Sequence, residues 1–233
     1  MKLEKSNSGN PLLRGLRKLS YLMYAGGALF LSLVLVGVVF LWGLPKIGIT
    51  SDISGALASQ LSIAFFAIIL FNSSKEKITD PLKDFSFKIF WYGVRLTVIV
   101  LILNIVATQL FSTTDIVPET TQNVVAQKSF ILTFLLPVLV APFFEELAFR
   151  AGLKSLLVDM ADFKPISYIL ISSLIFGLLH WVPGSPTALT HVLFTSSMGI
   201  AYSFTYIKFN NIYISIVSHM LYNGLVIVAA SLL

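Results

Sequence analysis

The chain has no cysteine and only three histidines, and charged residues make up 12% of its 233 positions. Without cysteine there are no disulfides and no thiolate metal sites. A soluble domain carries about 25% charged residues, so a chain with half that share is not built to face water on all sides. The basic residues form no stripe interleaved with aromatics, which excludes a nucleic-acid surface. There is no internal repeat and no low-complexity tract. What fills the chain instead is apolar: 56% of residues are hydrophobic and the mean hydropathy is +0.87.

That composition predicts an all-α, polytopic transmembrane bundle. A bilayer crossing takes about 20 apolar residues, and runs of roughly that length lie at 21–42, 53–72, 90–112, 129–149, 166–182, 187–207 and 212–233. The count is seven, within a range of six to eight. The first run is longer than a signal-peptide core and lacks a small-x-small cleavage site, so it is expected to be retained. Three stretches follow: a basic N-terminal segment (1–20), helices without chemical motifs (21–128), and a chemically marked core (129–233), which holds the last four spans.

Orientation is read from the cations between spans. Five lie in the first 20 residues, four in 73–89, three in 150–165 and one at Lys208, thirteen of the sixteen in all. Lys46 and Lys128 fall on the other side, and Arg95 lies within the third span. The N-terminus is therefore expected in the cytoplasm.

Against this background two adjacent carboxylates stand out, in Pro142-Phe143-Phe144-Glu145-Glu146-Leu147-Ala148-Phe149-Arg150. A charge in hydrocarbon costs several kcal/mol by typical estimates and persists where it is paired or used. Glu146 and Arg150 are four apart and share a helix face, so they are expected to pair. Glu145 lies ~100° around the helix and is left free, the position a general base needs. The helix is expected to continue to Met160. Pro142 is expected to kink it, with a neighbouring helix re-satisfying the carbonyl it frees. Phe176 and His180 are also four apart, as are His219 and Asn223. The last two can give hydrogen bonds to an oxyanion, or a metal ligand and its support. At ~1.5 Å per residue, Glu145 and His180 lie ~20 Å from the ends of their spans and His219 ~10 Å; tilt is needed to bring them together.

Glu-Glu-x-x-x-Arg, Phe-x-x-x-His and His-x-x-x-Asn, in that order on successive apolar helices, resemble the CAAX protease and bacteriocin-processing (Abi) family of intramembrane proteases. The resemblance covers about 129–225. It implies that Glu145 activates the hydrolytic water and His180 positions it. His219 and Asn223 would stabilise the oxyanion, with Glu146 and Arg150 supporting the first glutamate. The family is described both as metalloproteases and as metal-free glutamate proteases. The ligands of a zinc ion, if one binds, would be Glu145, His180 and His219; the glutamate route is preferred here. The resemblance further implies a bacterial cell membrane and a peptide or protein substrate, in peptide maturation, bacteriocin processing or self-immunity.

Two rival readings belong to other classes. One is a non-catalytic bacteriocin immunity or scaffold protein, against which the intact motifs speak. The other is a small proton-coupled transporter, against which speaks the placement of both buried acids on one helix. His191 matches no motif and is expected to pack rather than react. Arg95 is expected to meet a lipid phosphate or a carboxylate. The small residues of Gly26-Gly27-Ala28 and Ser196-Ser197-Met198-Gly199 are expected to permit close helix packing.

Overall fold

The structure, a computed structural model, describes residues 10–47, 51–110, 129–181, 184–185 and 187–232. Among these the chain forms seven long helices and no strand. They are α1 (Pro11–Gly37), α2 (Ser51–Ser73), α3 (Phe87–Leu110), α4 (Ile131–Met160), α5 (Pro165–Leu178), α6 (Ala188–Phe209) and α7 (Ile212–Leu232). Each predicted span falls on one helix, with residues 111–112, 182 and 233 outside the described residues. Four described stretches are long and apolar enough to cross a membrane: α1 with its continuation to Gly43, α3 over Phe87–Val106, α4 and α7. Leu57–Ser73 of α2 and the whole of α5 are apolar but shorter.

α1 begins at Pro11 rather than at residue 21. The Asn10 side chain caps it by accepting from the Leu12 amide at 2.9 Å, and Pro11 sits at the first helical position, where a missing N–H costs nothing. Arg14, Arg17 and Lys18 therefore ride on its first turns.

α4 is the irregular element. It runs in π register over Ile131–Val140, in α register over Ala141–Glu146, and in π register again over Leu147–Gly152 and Ser155–Met160. π turns occur mostly as single turns at functional sites, and here they flank the two glutamates. Prolines help set this register. In the first π stretch the Ala141 amide bonds five residues back, to Leu136. Pro142 has no N–H to repeat that bond, so the Pro137 carbonyl loses its donor. Asn223 of α7 supplies it, Nδ2 donating to the Pro137 oxygen at 2.8 Å. In the second π stretch the Phe149 carbonyl accepts from the hydroxyls of Tyr168 (3.1 Å) and Ser172 (2.9 Å) on α5.

The main core joins α2, α4, α5 and α7 through Phe66, Leu70, Phe149, Leu156, Phe176 and Ile216. A second cluster of Leu96, Val100, Met198, Tyr202 and Ile214 joins α3, α6 and α7. α5 and α6 approach closely at glycines: a Cβ on Gly177 would lie 2.6 Å from the Val192 carbonyl oxygen, and one on Gly199 2.9 Å from Ser173 Cα. The small residues of α6 thus serve close packing. Gly26 and Gly27 do not, since a Cβ on either meets nothing within 4 Å.

The loops rich in charge gather at one end. Arg17 meets Asp162 at 3.7 Å, Lys18 lies over the Phe163 ring at 5.2 Å, and Lys154 meets Asp159 at 2.9 Å. Tyr213 at the start of α7 donates to the Leu82 carbonyl at 2.6 Å, and Asn211 to that of Asp84 at 2.7 Å. Burial in this corner raises the Glu76 carboxyl above its ordinary range despite Lys154 nearby.

Candidate active site

The six motif residues come from α4, α7 and the turn that ends α5, and the structure arranges them in two linked groups. The first is the acidic cluster. Glu146 and Arg150 are fully buried and paired, Oε2 to Nε at 3.0 Å, as their spacing predicts. The faces of the guanidinium are covered by aromatic rings, Phe176 at 4.6 Å and Tyr202 at 5.7 Å. Its Nη atoms have no hydrogen-bond acceptor among the described residues, so the rings offset part of its desolvation.

His219 of α7 reaches into this pair. Its Nδ1 lies 3.0 Å from the second oxygen of Glu146, and its Nε2 lies 3.8 Å from Glu145 Oε2. The imidazole is itself buried between aromatic rings, with Phe176 edge-on at 5.9 Å and Tyr202 tilted at 5.4 Å. An N–H at Nδ1 donates to the Glu146 carboxylate, and Nε2 on the far side of the ring faces Glu145. The Glu145 side chain keeps 13% of its surface exposed while that of Glu146 keeps none. The two glutamates thus divide as their helix positions predict, one locked and one open.

The sequence-based depth estimate leaves His219 about 10 Å short of Glu145, yet the two meet. π turns bond five residues back and advance less along the axis per residue than α turns, so the stretch from Leu147 to Met160 is shorter than an α-helix of the same length.

The second group is on α5 and α6. His180 Nδ1 donates to the Phe176 carbonyl at 2.8 Å, which leaves Nε2 as the acceptor of the neutral ring. Its ring stands 4.8 Å from Phe176, the residue that also touches His219, so Phe176 joins the two groups. Among the described residues no ion pair links His180 to either glutamate. The residue that does stand beside it is His191, 6.2 Å between ring centroids and edge-on. His191 lies in no motif, and sequence reasoning set it aside. The signal that could have found it is the short α5–α6 connection, which folds α6 back along α5 and returns the start of α6 to the end of α5.

Asn223, the last motif residue, spends one amide hydrogen on the Pro137 carbonyl and retains a second. Among the described residues no group of three His, Asp or Glu side chains is found that could hold a metal ion. One imidazole nitrogen of His219 is taken by Glu146 and one of His180 by a carbonyl.

Comparison with known proteins places this region. Residues 127–225 match the family model described as type II CAAX prenyl endopeptidase Rce1-like. A protein of Bacillus subtilis (strain 168) named "Putative membrane peptidase YdiL" is 30% identical over 97 residues, which is 42% of this chain and 36% of that protein. The match thus spans little more than a third of that relative's length. No solved structure matches. Through the segment 127–225, which holds Glu145, Glu146, Arg150, His180, His219 and Asn223, this membrane protein is similar to the Rce1-like family.

Proposed function

We propose that the chain is an intramembrane endopeptidase that hydrolyses a peptide or protein substrate with a glutamate-activated water. The observation that carries this reading is the placement of Glu145. It is the open carboxylate of a buried pair, and it faces an imidazole nitrogen whose ring is fixed from behind by Glu146 and Arg150. A base oriented by a second group, itself held by a third, is the arrangement general acid–base catalysis requires.

In this reading Glu145 takes a proton from water as the water oxygen bonds to the scissile carbonyl carbon. His180 accepts a hydrogen bond from that water at Nε2 and fixes its direction. The free amide hydrogen of Asn223, together with His219, faces the oxyanion that forms. The C–N bond then breaks as Glu145 returns its proton to the leaving amine. The apolar helices around the cluster exclude bulk water, which strengthens each of these interactions.

The family match and the relative's name support peptide-bond hydrolysis in a membrane. We place the protein in a bacterial cell membrane with its N-terminus in the cytoplasm, on the strength of twelve cations on one side, Arg150 being set apart in the buried cluster. A small peptide, in maturation, bacteriocin processing or self-immunity, is the substrate class we favour.

The test is cleavage of a fluorogenic peptide library by purified protein in liposomes, comparing wild type, Glu145→Ala and the exposed-helix control Arg14→Ala. Losing a general base is expected to cost about 10²–10⁴-fold in kcat, with Arg14→Ala unchanged and a zinc chelator without effect. Equal cleavage by wild type and Glu145→Ala would sink the assignment of the base. A chelator-sensitive activity would replace the glutamate route with a metal.

A further inference from the structure

Arg95 is a cation exposed on the outside of an apolar span, and the catalytic reading leaves it without a task. It lies in α3, within a stretch of mean hydropathy 2.1. No acidic side chain of the described residues pairs with it, and its guanidinium lies 5.8 Å from the centre of the Tyr92 ring. On the other side of Tyr92, Lys88 Nζ stands 5.9 Å from the same ring. Residues 88, 92 and 95 are spaced to share one helix face.

The face does not end with α3. Tyr92 stacks on Phe209 at the end of α6, 5.3 Å between centroids and 29° between planes. Lys208 lies over that second ring at 5.4 Å. Three cations from two helices therefore surround one aromatic stack, all three exposed. The level of this patch relative to the bilayer is marked independently. Phe87, Phe90 and Trp91 form a mutual aromatic cluster on the first turns of α3, with Phe87 and Trp91 73% and 48% exposed. Trp91 in this cluster and Tyr92 beside it are of the types that gather at the headgroup boundary. Arg95 lies seven residues past Lys88, about 10 Å further along the helix.

Below the cations the same faces turn apolar. On α3 the exposed residues after Arg95 include Val98, Ile99 and Ile102; on α6 those leading up to Lys208 include Ile200 and Phe204. A charged upper end above two apolar strips has the shape of a phospholipid.

We propose that Lys88, Arg95 and Lys208 seat the phosphate headgroup of an anionic phospholipid between α3 and α6. Its acyl chains lie along Val98, Ile99 and Ile102 of α3 and Ile200 and Phe204 of α6. The apolar strips favour a lipid over a free anion, which would gain nothing from them, and an exposed guanidinium this deep needs an anion that can follow it into the membrane. The second cluster of the core packs α3 against α6 and α7, the helix of His219, so a lipid here steadies the helices that back the site.

The experiment measures binding of the full chain to nanodiscs of phosphatidylglycerol or phosphatidylcholine, by native mass spectrometry of lipid retained on extraction. Each cation near the surface is worth about fivefold in association with anionic lipid. Wild type is expected to retain phosphatidylglycerol preferentially. Arg95→Gln and Lys208→Gln should each lower that preference about fivefold, while Arg95→Lys keeps most of it and Arg14→Gln, an equal loss of charge elsewhere, leaves it intact. A loss just as large in Arg14→Gln would mean net charge alone and would overturn the proposal. Displacement of the retained lipid by millimolar inorganic phosphate would overturn it too, since the site would then take a free anion. Circular dichroism of each variant confirms that helix content is kept.

Discussion

Arg150 holds the charge balance of the buried cluster. It is fully buried, it meets Glu146 at 3.0 Å, and its faces are covered by Phe176 and Tyr202. Removing one partner of a buried pair leaves the other charge uncompensated, which costs about 3–5 kcal/mol, whereas replacing both is often nearly neutral. Arg150→Met is therefore expected to lower stability by that amount in detergent unfolding, and Glu146→Gln with Arg150→Met together to recover most of it. A double variant as unstable as the single would contradict the charge argument. This pair was legible in the sequence because spacing of four fixes a shared helix face. The docking of His219 on Glu146 was not, since it depends on where α7 lies beside α4. Nor was the use of Asn223 on the Pro137 carbonyl: the pairing of Pro142 with a partner was expected, but nothing local identified the donor.

At the scale of the helices, two features decide where the site residues stand. One is the π register of α4, which draws Glu145 within reach of His219. A period of 3.6 could place Glu145 ~100° around the helix from Glu146, but not the shortened rise that follows, because the register rests on prolines and on hydroxyls donated by α5. The other is the close contact of α5 with α6, which sets His191 beside His180. Gly177 lies inside that contact and inside the Phe176–His180 motif. A Cβ there meets the Val192 backbone oxygen at 2.6 Å and the Ser196 hydroxyl closer still, and backbone cannot turn away. Gly177→Ala is expected to destabilise the protein by about 1–3 kcal/mol, the usual cost of overpacking. Thermal unfolding would read that loss, and an unchanged midpoint would mean that α5 and α6 separate freely.

Over the whole molecule the apolar runs legible in the sequence correspond to the seven helices, and the order of the motifs corresponds to the order of α4, α5 and α7 around the cluster. The charged loops collect at one end and the paired carboxylates lie inside, where only side chains from neighbouring helices meet them. What composition could not supply is the packing of the front helices: α2 shares the core of α4 through Phe66 and Leu70, and α3 backs α7 through Thr97, which donates to the Ser218 carbonyl at 3.2 Å. The measurement closest to the central claim is hydrolysis of a cleaved peptide in ¹⁸O-labelled water by wild type and Glu145→Gln in liposomes, with products weighed by mass spectrometry. The account predicts one ¹⁸O in the new carboxylate for wild type and no product above background for Glu145→Gln. Labelled product formed by Glu145→Gln at the wild-type rate would contradict it.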